Sequence, residues 1–226
     1  MTRSNFQFPK AQLEQVFTKL LQSNSYLSSR VDSQMCNLLL DYLELMHKWN
    51  RAYNLTAIKD PEQMLIKHIF DSLAVAPYFS QYHKVLDVGT GAGLPGIPLA
   101  IFFAKENPQM HFTLLDSLGK RIQFLRHVVL TLNLKNVTII HSPVENYQEE
   151  QFDCITSRAF TALDRMTLVC SHLLSPQGNY VLLKGAKTEE ELQTLPQEFA
   201  LVDIHEVKVP GIEDNERFVV TIKRAI

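Results

Sequence analysis

Cysteine is scarce and scattered in this chain. Its three cysteines, Cys36, Cys154 and Cys170, are odd in number, lie far apart and form no C-x-x-C pair. That pattern excludes a disulfide framework and a thiolate zinc site, and predicts reduced thiols in a cytoplasmic protein. Long apolar runs are missing as well. None reaches the roughly 18–20 residues that a membrane-spanning helix requires. The opening Met1-Thr2-Arg3-Ser4-Asn5-Phe6-Gln7 lacks the apolar centre of a secretion signal, so no membrane partner is expected. Nor is there an excess of positive charge. The 22 Lys and Arg face 24 Asp and Glu, so any nucleic-acid surface must be a local patch. The eight histidines show no metal-site spacing, and no metal is expected.

What is present is a globular composition. With 226 residues, 46% of them hydrophobic, the chain can bury the core of one large α/β domain with an appendage. The first eighty residues read as that appendage, a helical extension over 1–80 packed on a core over 81–226. In Lys10–Gln22 the residues Leu13, Val16, Phe17, Leu20 and Leu21 fall on one helical face. A longer stripe runs through Val31, Met35, Leu38, Leu39, Tyr42, Leu45, Met46 and Trp49. Asp60-Pro61-Glu62-Gln63 then offers an N-cap, a proline at the first helical position and a Gln placed to close a capping box. Met64, Leu65, Ile69, Leu73 and Ala76 continue the helical spacing behind it.

From residue 84 strands alternate with helices. Short apolar runs at Lys84–Val88, His111–Leu115, Asn136–Ile140, Phe152–Thr156 and Asn179–Lys184 suit strands of a parallel sheet covered on both faces. Helices are expected at Ile97–Lys105, Ser117–Leu134, Thr161–Leu173 and Thr188–Leu195. Two further strands, Leu201–Val209 and Arg217–Lys223, are joined by only seven residues, Pro210 to Glu216. A parallel crossover needs a dozen or more, so this last pair must be antiparallel. The expected architecture is a Rossmann-like, seven-stranded sheet with a terminal antiparallel hairpin, as in class I S-adenosylmethionine-dependent methyltransferases.

The most informative segment is Asp87-Val88-Gly89-Thr90-Gly91-Ala92-Gly93-Leu94-Pro95-Gly96, a strand running into a glycine-rich turn before a helix. No Lys-Ser or Lys-Thr follows the glycines, which excludes a Walker phosphate loop. A dinucleotide site is a real rival. Gly91 to Gly96 satisfies G-x-G-x-x-G, and Asp116 stands twenty residues beyond. Those matching glycines start two residues after the strand ends, however. Asp87 to Gly93 instead fits the D-x-G-x-G-x-G form of methyl-donor sites, and the terminal hairpin agrees.

Around that loop, Asp116 ends the second strand, where its carboxylate can accept from both ribose hydroxyls. It can also cap the following helix. Val144-Glu145 follows the third strand, the place for adenine contacts, and Arg158 follows the fourth. Thr156-Ser157-Arg158-Ala159-Phe160 lacks the Asn-Pro-Pro-Tyr-like element of exocyclic-amine methylation and the Pro-Cys nucleophile of cytosine C5 chemistry. No catalytic residue is therefore singled out. An acceptor that already carries an exposed lone pair, such as guanine N7, needs only positioning. Lys120, Arg121 and Arg126 are expected to join Lys184 and Lys187 in a basic rim at the edge of the sheet where the donor sits.

The chain resembles the bacterial small-subunit rRNA guanine-N7 methyltransferase family, also called glucose-inhibited division protein B. The segments that carry the resemblance are His47-Lys48-Trp49-Asn50, Tyr53-Asn54-Leu55-Thr56, His68 to Leu73, Asp87 to Ala100, Leu115 to Arg121, Ser157 to Phe160 and Leu183-Lys184-Gly185. It covers roughly residues 35–225. It implies methylation of guanine N7 in 16S ribosomal RNA, naked or in a small-subunit particle, and a monomer is expected. S-adenosylmethionine would be held at Gly89, Gly91, Leu94, Asp116, Val144, Glu145 and Arg158. Pro143 departs from the arginine or similar polar residue that family members carry before the Val-Glu pair. The alternatives are a noncatalytic RNA-binding or assembly protein on the same fold, an NAD-binding Rossmann enzyme, and a small-molecule methyltransferase.

Overall fold

A computed structural model of the chain describes residues 8–212 and 216–225. The opening Met1 to Gln7, and Glu213, Asp214 and Asn215 in the hairpin link, lie outside the described residues.

Nine α-helices and seven strands follow one another among the described residues. The helices are α1 (Lys10–Gln22), α2 (Ser25–Ser28), α3 (Ser33–Tyr53), α4 (Pro61–Met64), α5 (Asp71–Ala74), α6 (Gly96–Glu106), α7 (Gly119–Thr131), α8 (Leu163–Cys170) and α9 (Thr188–Leu192). The strands are β1 (Lys84–Val88), β2 (His111–Asp116), β3 (Val137–His141), β4 (Phe152–Arg158), β5 (Leu174–Lys184), β6 (Phe199–Glu206) and β7 (Phe218–Arg224). They form one sheet in the order β3-β2-β1-β4-β5-β7-β6. The first five strands are parallel to one another, and β7 runs antiparallel between β5 and β6. The terminal hairpin is therefore antiparallel, as the short link demands.

The two faces of the sheet carry separate apolar layers. Val85, Phe112, Leu114 and Cys154 join α1, α3, α6 and α7 in one continuous cluster. Leu86, Val88, Ile155 and Leu182 join α8 in the other. Alternate residues of β1 thus point to opposite layers, which is why the strand reads as an unbroken apolar run.

Local chemistry explains several boundaries. Asp60 accepts from the Gln63 N–H at 2.8 Å, with Pro61 at the first helical position, so α4 starts where the capping signal stands. Between α4 and α5, Leu65–Phe70 widens into a π-helix. Such turns are frequent at functional sites. This one buries Ile66, His68 and Phe70 along with the expected Leu65 and Ile69.

Other boundaries moved. Asp116 is not a helix cap: α7 opens later, at Gly119, behind Leu118, and has no side-chain cap. The expected helix at Thr161–Leu173 is α8 plus a 3₁₀ turn at Ser171–Leu173. β5 starts five residues before the expected Asn179. The sixth strand slides back from the expected Leu201–Val209, because Val209 and Ile212 leave the sheet for the cluster under the N-terminal helices. Among the described residues, no helix is long and apolar enough to cross a membrane.

Candidate functional site

The chain leaves β1 in one direction towards β2 and reaches β4 on the other side, so the C-terminal ends of these strands frame a crevice. Crevices at such switch points are where ligands bind in open parallel sheets. A cavity of about 560 Å³ lies there, within the range of small-molecule sites. Its lining comes from the end of β1 (Gly89, Gly91, Leu94), of β2 (Asp116), of β3 (Ser142 to Glu145) and of β4 (Arg158, Phe160), with Leu55, Thr56 and His68 from the N-terminal part. All seven residues expected from sequence to hold the donor line this cavity: Gly89, Gly91, Leu94, Asp116, Val144, Glu145 and Arg158.

The glycine loop is held from three sides. Gly89 N–H donates to the Leu115 carbonyl at 2.9 Å, and Gly91 N–H to Asp116 Oδ2 at 3.0 Å. Beneath it, buried Asp87 accepts from Thr90 Oγ1 at 2.7 Å and from Gly96 N–H at 3.0 Å through Oδ2. Its Oδ1 has no partner among the described residues, and full burial pushes the carboxyl up to about 7. The third support is buried Tyr42 on α3, whose hydroxyl donates to the Ala92 carbonyl at 2.6 Å. In the sequence Tyr42 stands only in an apolar stripe. A buried tyrosine hydroxyl needs a partner, and that is the signal that could have flagged it.

Gly89 and Gly91 both adopt the left-handed region, φ +63° and +64°. They differ in their surroundings. A Cβ on Gly89 would lie 2.3 Å from the Phe160 ring, whereas one on Gly91 would meet nothing nearer than 3.9 Å. The loop is therefore closed at its first glycine and open at its second. This open, turning backbone beside a buried carboxylate fits a nucleoside-like group such as S-adenosylmethionine.

Asp116 is almost fully buried and already accepts three hydrogen bonds. Leu118 N–H donates to Oδ1 at 2.9 Å, while Gly91 N–H and Arg121, at 3.1 Å, share Oδ2. A carboxylate has about four acceptor sites. One remains, for two ribose hydroxyls. Accepting both requires Arg121 to swing aside.

At the end of β4, Arg158 is locked rather than free. Its guanidinium donates to the Lys67 carbonyl at 3.0 Å, to Asp71 Oδ2 at 3.2 Å and approaches His68 Nδ1 at 3.3 Å. Asp71 is buried and also pairs with Arg217 at 3.3 Å. Burial, with Arg158 next, pushes the His68 imidazole down to about 4, so the ring is neutral at physiological pH. Its Nε2 sits 2.8 Å from Thr56 Oγ1. Asn50 anchors the Thr56 segment, accepting from Thr56 N–H at 2.8 Å and donating to the Ile58 carbonyl at 3.1 Å. The motifs around Asn54 and His68 to Ser72 thus do two things at once. Asn54 ends α3 in the left-handed conformation, and Thr56 and His68 floor the crevice.

A second cavity of about 650 Å³ adjoins the first and shares His68, Arg158, Ala159 and Phe160 with it. Five cations line it (Lys67, Arg158, Lys184, Lys187 and Arg217) against two carboxylates, Asp71 and Glu191. Ala159 turns the chain here at φ +55°, a conformation that costs a non-glycine residue about 1–3 kcal/mol and concentrates at functional sites. Arg217 stands alone before the last strand, and nothing in the sequence singles it out.

The expected basic rim does not hold together. Arg126 lies two turns down α7 and lines a separate concavity of about 390 Å³ with Lys135 and Val137, at the other end of β3. Lys184 is turned inward, donating to the Thr161 carbonyl at 2.8 Å and pairing with Glu191 at 2.7 Å. Arg121 is spent on Asp116. A helix that starts at the crevice runs away from it, so only its first turn stays near the edge.

The family described as rRNA small subunit methyltransferase G matches residues 35–220. The ribosomal RNA small subunit methyltransferase G of Escherichia fergusonii is 50% identical over 188 residues, 83% of this chain and 88% of that protein. Its counterpart in Aeromonas salmonicida is 47% identical over 212 residues, 93% of this chain and 97% of that protein. A solved SAM-dependent methyltransferase from Aquifex aeolicus superposes with a TM-score of 0.55 at 18% identity, covering 75% of this chain and 96% of that one.

Proposed function

We propose, from the premise that the chain belongs to the rRNA small subunit methyltransferase G family and is an S-adenosylmethionine-dependent methyltransferase acting on small-subunit ribosomal RNA, that the methyl acceptor is N7 of a guanine in 16S RNA. The observation that carries this reading is the junction of the two cavities. The first is a backbone cradle suited to the donor, and the second is rich in cations suited to an RNA strand.

The donor supplies a methyl group on positively charged sulfur. The open Gly91 backbone and Leu94 would cradle it, Asp116 would accept from its ribose, and Val144 with Glu145 would flank its adenine. Arg158 borders the reacting end. His68, held neutral, adds no charge where a cationic methyl donor must approach. Guanine N7 carries an exposed lone pair and needs no deprotonation. Placing it in line with the methyl is then the main task of the protein. We read residues 1–80 as an extension that floors the crevice and 81–226 as the methyltransferase core. The three buried cysteines suit a reducing cytoplasm.

The test is transfer in vitro from a labelled donor to small-subunit particles and, separately, to naked 16S RNA, with digestion to nucleosides. Label in 7-methylguanosine is expected from at least one substrate. Label confined to another methylated nucleoside overturns the acceptor assignment, and the comparison of substrates shows whether a particle is required.

A further inference from the structure

Four residues border both cavities, and two of them are already engaged. His68 is buried between Thr56, Lys67 and Arg158. Arg158 is tied to Asp71 and the Lys67 carbonyl. Ala159 presents a single methyl. The fourth, Phe160, is 40% exposed, and its ring rests against the Cα of Gly89, where a Cβ would come within 2.3 Å. The ring therefore stands on the glycine loop of the donor cavity and also forms part of the wall of the cationic one. A flat apolar surface beside cations is the arrangement that receives an unstacked nucleobase, with the ring under the base and the cations at its phosphates.

We propose that Phe160 is the platform on which the acceptor guanine stacks, setting the height of its N7 relative to the donor methyl. Gly89 serves this as much as it serves the loop, because only glycine leaves room for the ring. The inference rests on the acceptor assignment above. Phe160 acts by positioning. It takes no proton and forms no bond.

The test combines Phe160→Ala, Phe160→Leu and Phe160→Trp with two readouts, donor affinity by calorimetry and kcat and KM on small-subunit particles at saturating donor. Stacking on an aromatic side chain accounts for about a ten- to hundredfold effect per base. Phe160→Ala should lose about that much kcat/KM while donor affinity stays within about twofold. Phe160→Trp should keep most of the activity, and Phe160→Leu should not, because it fills space without an aromatic face. A parallel fall in donor affinity would make Phe160 a cover for the donor, and full activity in the leucine variant would make it a spacer. Either result overturns the proposal. If the unmodified protein yields no 7-methylguanosine, the acceptor assignment falls first and the platform with it.

Discussion

The two cavities that meet at Phe160 are built from different materials. The donor side is mostly backbone: a turn with three glycines at positive φ, braced by Asp87, Asp116 and Tyr42. The acceptor side is mostly charged side chains, gathered from the π-turn at 65–70, the end of β4, the approach to α9 and the start of β7. A backbone cradle has to be encoded locally, by glycine at fixed spacing. A charged wall can be assembled from any four stretches that the topology brings together. The first kind of site is readable from sequence, and the second becomes readable only when the chain is folded.

Four measurements test that contrast. The largest effect is expected on the charged side. Asp71→Ala strands Arg158 and Arg217 without their carboxylate. Removing one partner of a buried pair costs about 3–5 kcal/mol, and somewhat less here because both arginines are partly exposed. Chemical denaturation should show that loss, and an unchanged midpoint would mean that the pair is ornamental. On the donor side, Asp116→Ala should weaken S-adenosylmethionine binding by about 1.5–3 kcal/mol, the range for hydrogen bonds to a charged group. Calorimetry showing NAD bound in its place would reverse the assignment of the cavity. Smaller again, Tyr42→Phe removes one neutral hydrogen bond to the glycine loop. It should cost about 0.5–1.5 kcal/mol of stability, with a modest fall in donor affinity. If affinity is untouched, α3 only packs and does not brace the loop.

The smallest net effect is one of pH, because two buried groups oppose each other. Asp87 has its pKa raised by burial to about 7, so its contribution to stability is full below about 4 and lost as the pH rises to about 7. His68 has its pKa lowered to about 4, so its contribution is full above about 6.5 and lost as the pH falls to about 4. Relative to the unmodified protein, Asp87→Asn should gain stability as pH rises through this window, and His68→Gln should lose it. Parallel curves for both variants would show that neither group is perturbed.

The sheet was largely legible. Lys84–Val88 and Lys10–Gln22 carry the same bounds in sequence and structure, because buried parallel strands and one-sided helices leave strong patterns. The hairpin direction followed from the length of its link. The sixth strand was misplaced because it is an edge strand with exposed Leu201 and Val202, while the apolar Val209 beside it belongs to a different layer. The π-turn stayed hidden, since one wide turn barely disturbs a helical spacing. All the donor-cavity expectations sat at strand ends, which topology alone locates. Arg217 and the inward turn of Lys184 depend on contacts between distant segments, and no local pattern announces them.

If this crevice delivers a methyl group to guanine N7 in small-subunit RNA, mapping 7-methylguanosine by chemical cleavage and sequencing in ribosomal RNA from cells with and without the gene tests it at its product. A 7-methylguanosine in 16S RNA should disappear with the gene and return with the unmodified protein but not with Asp116→Ala. An identical 7-methylguanosine map in both strains would contradict it.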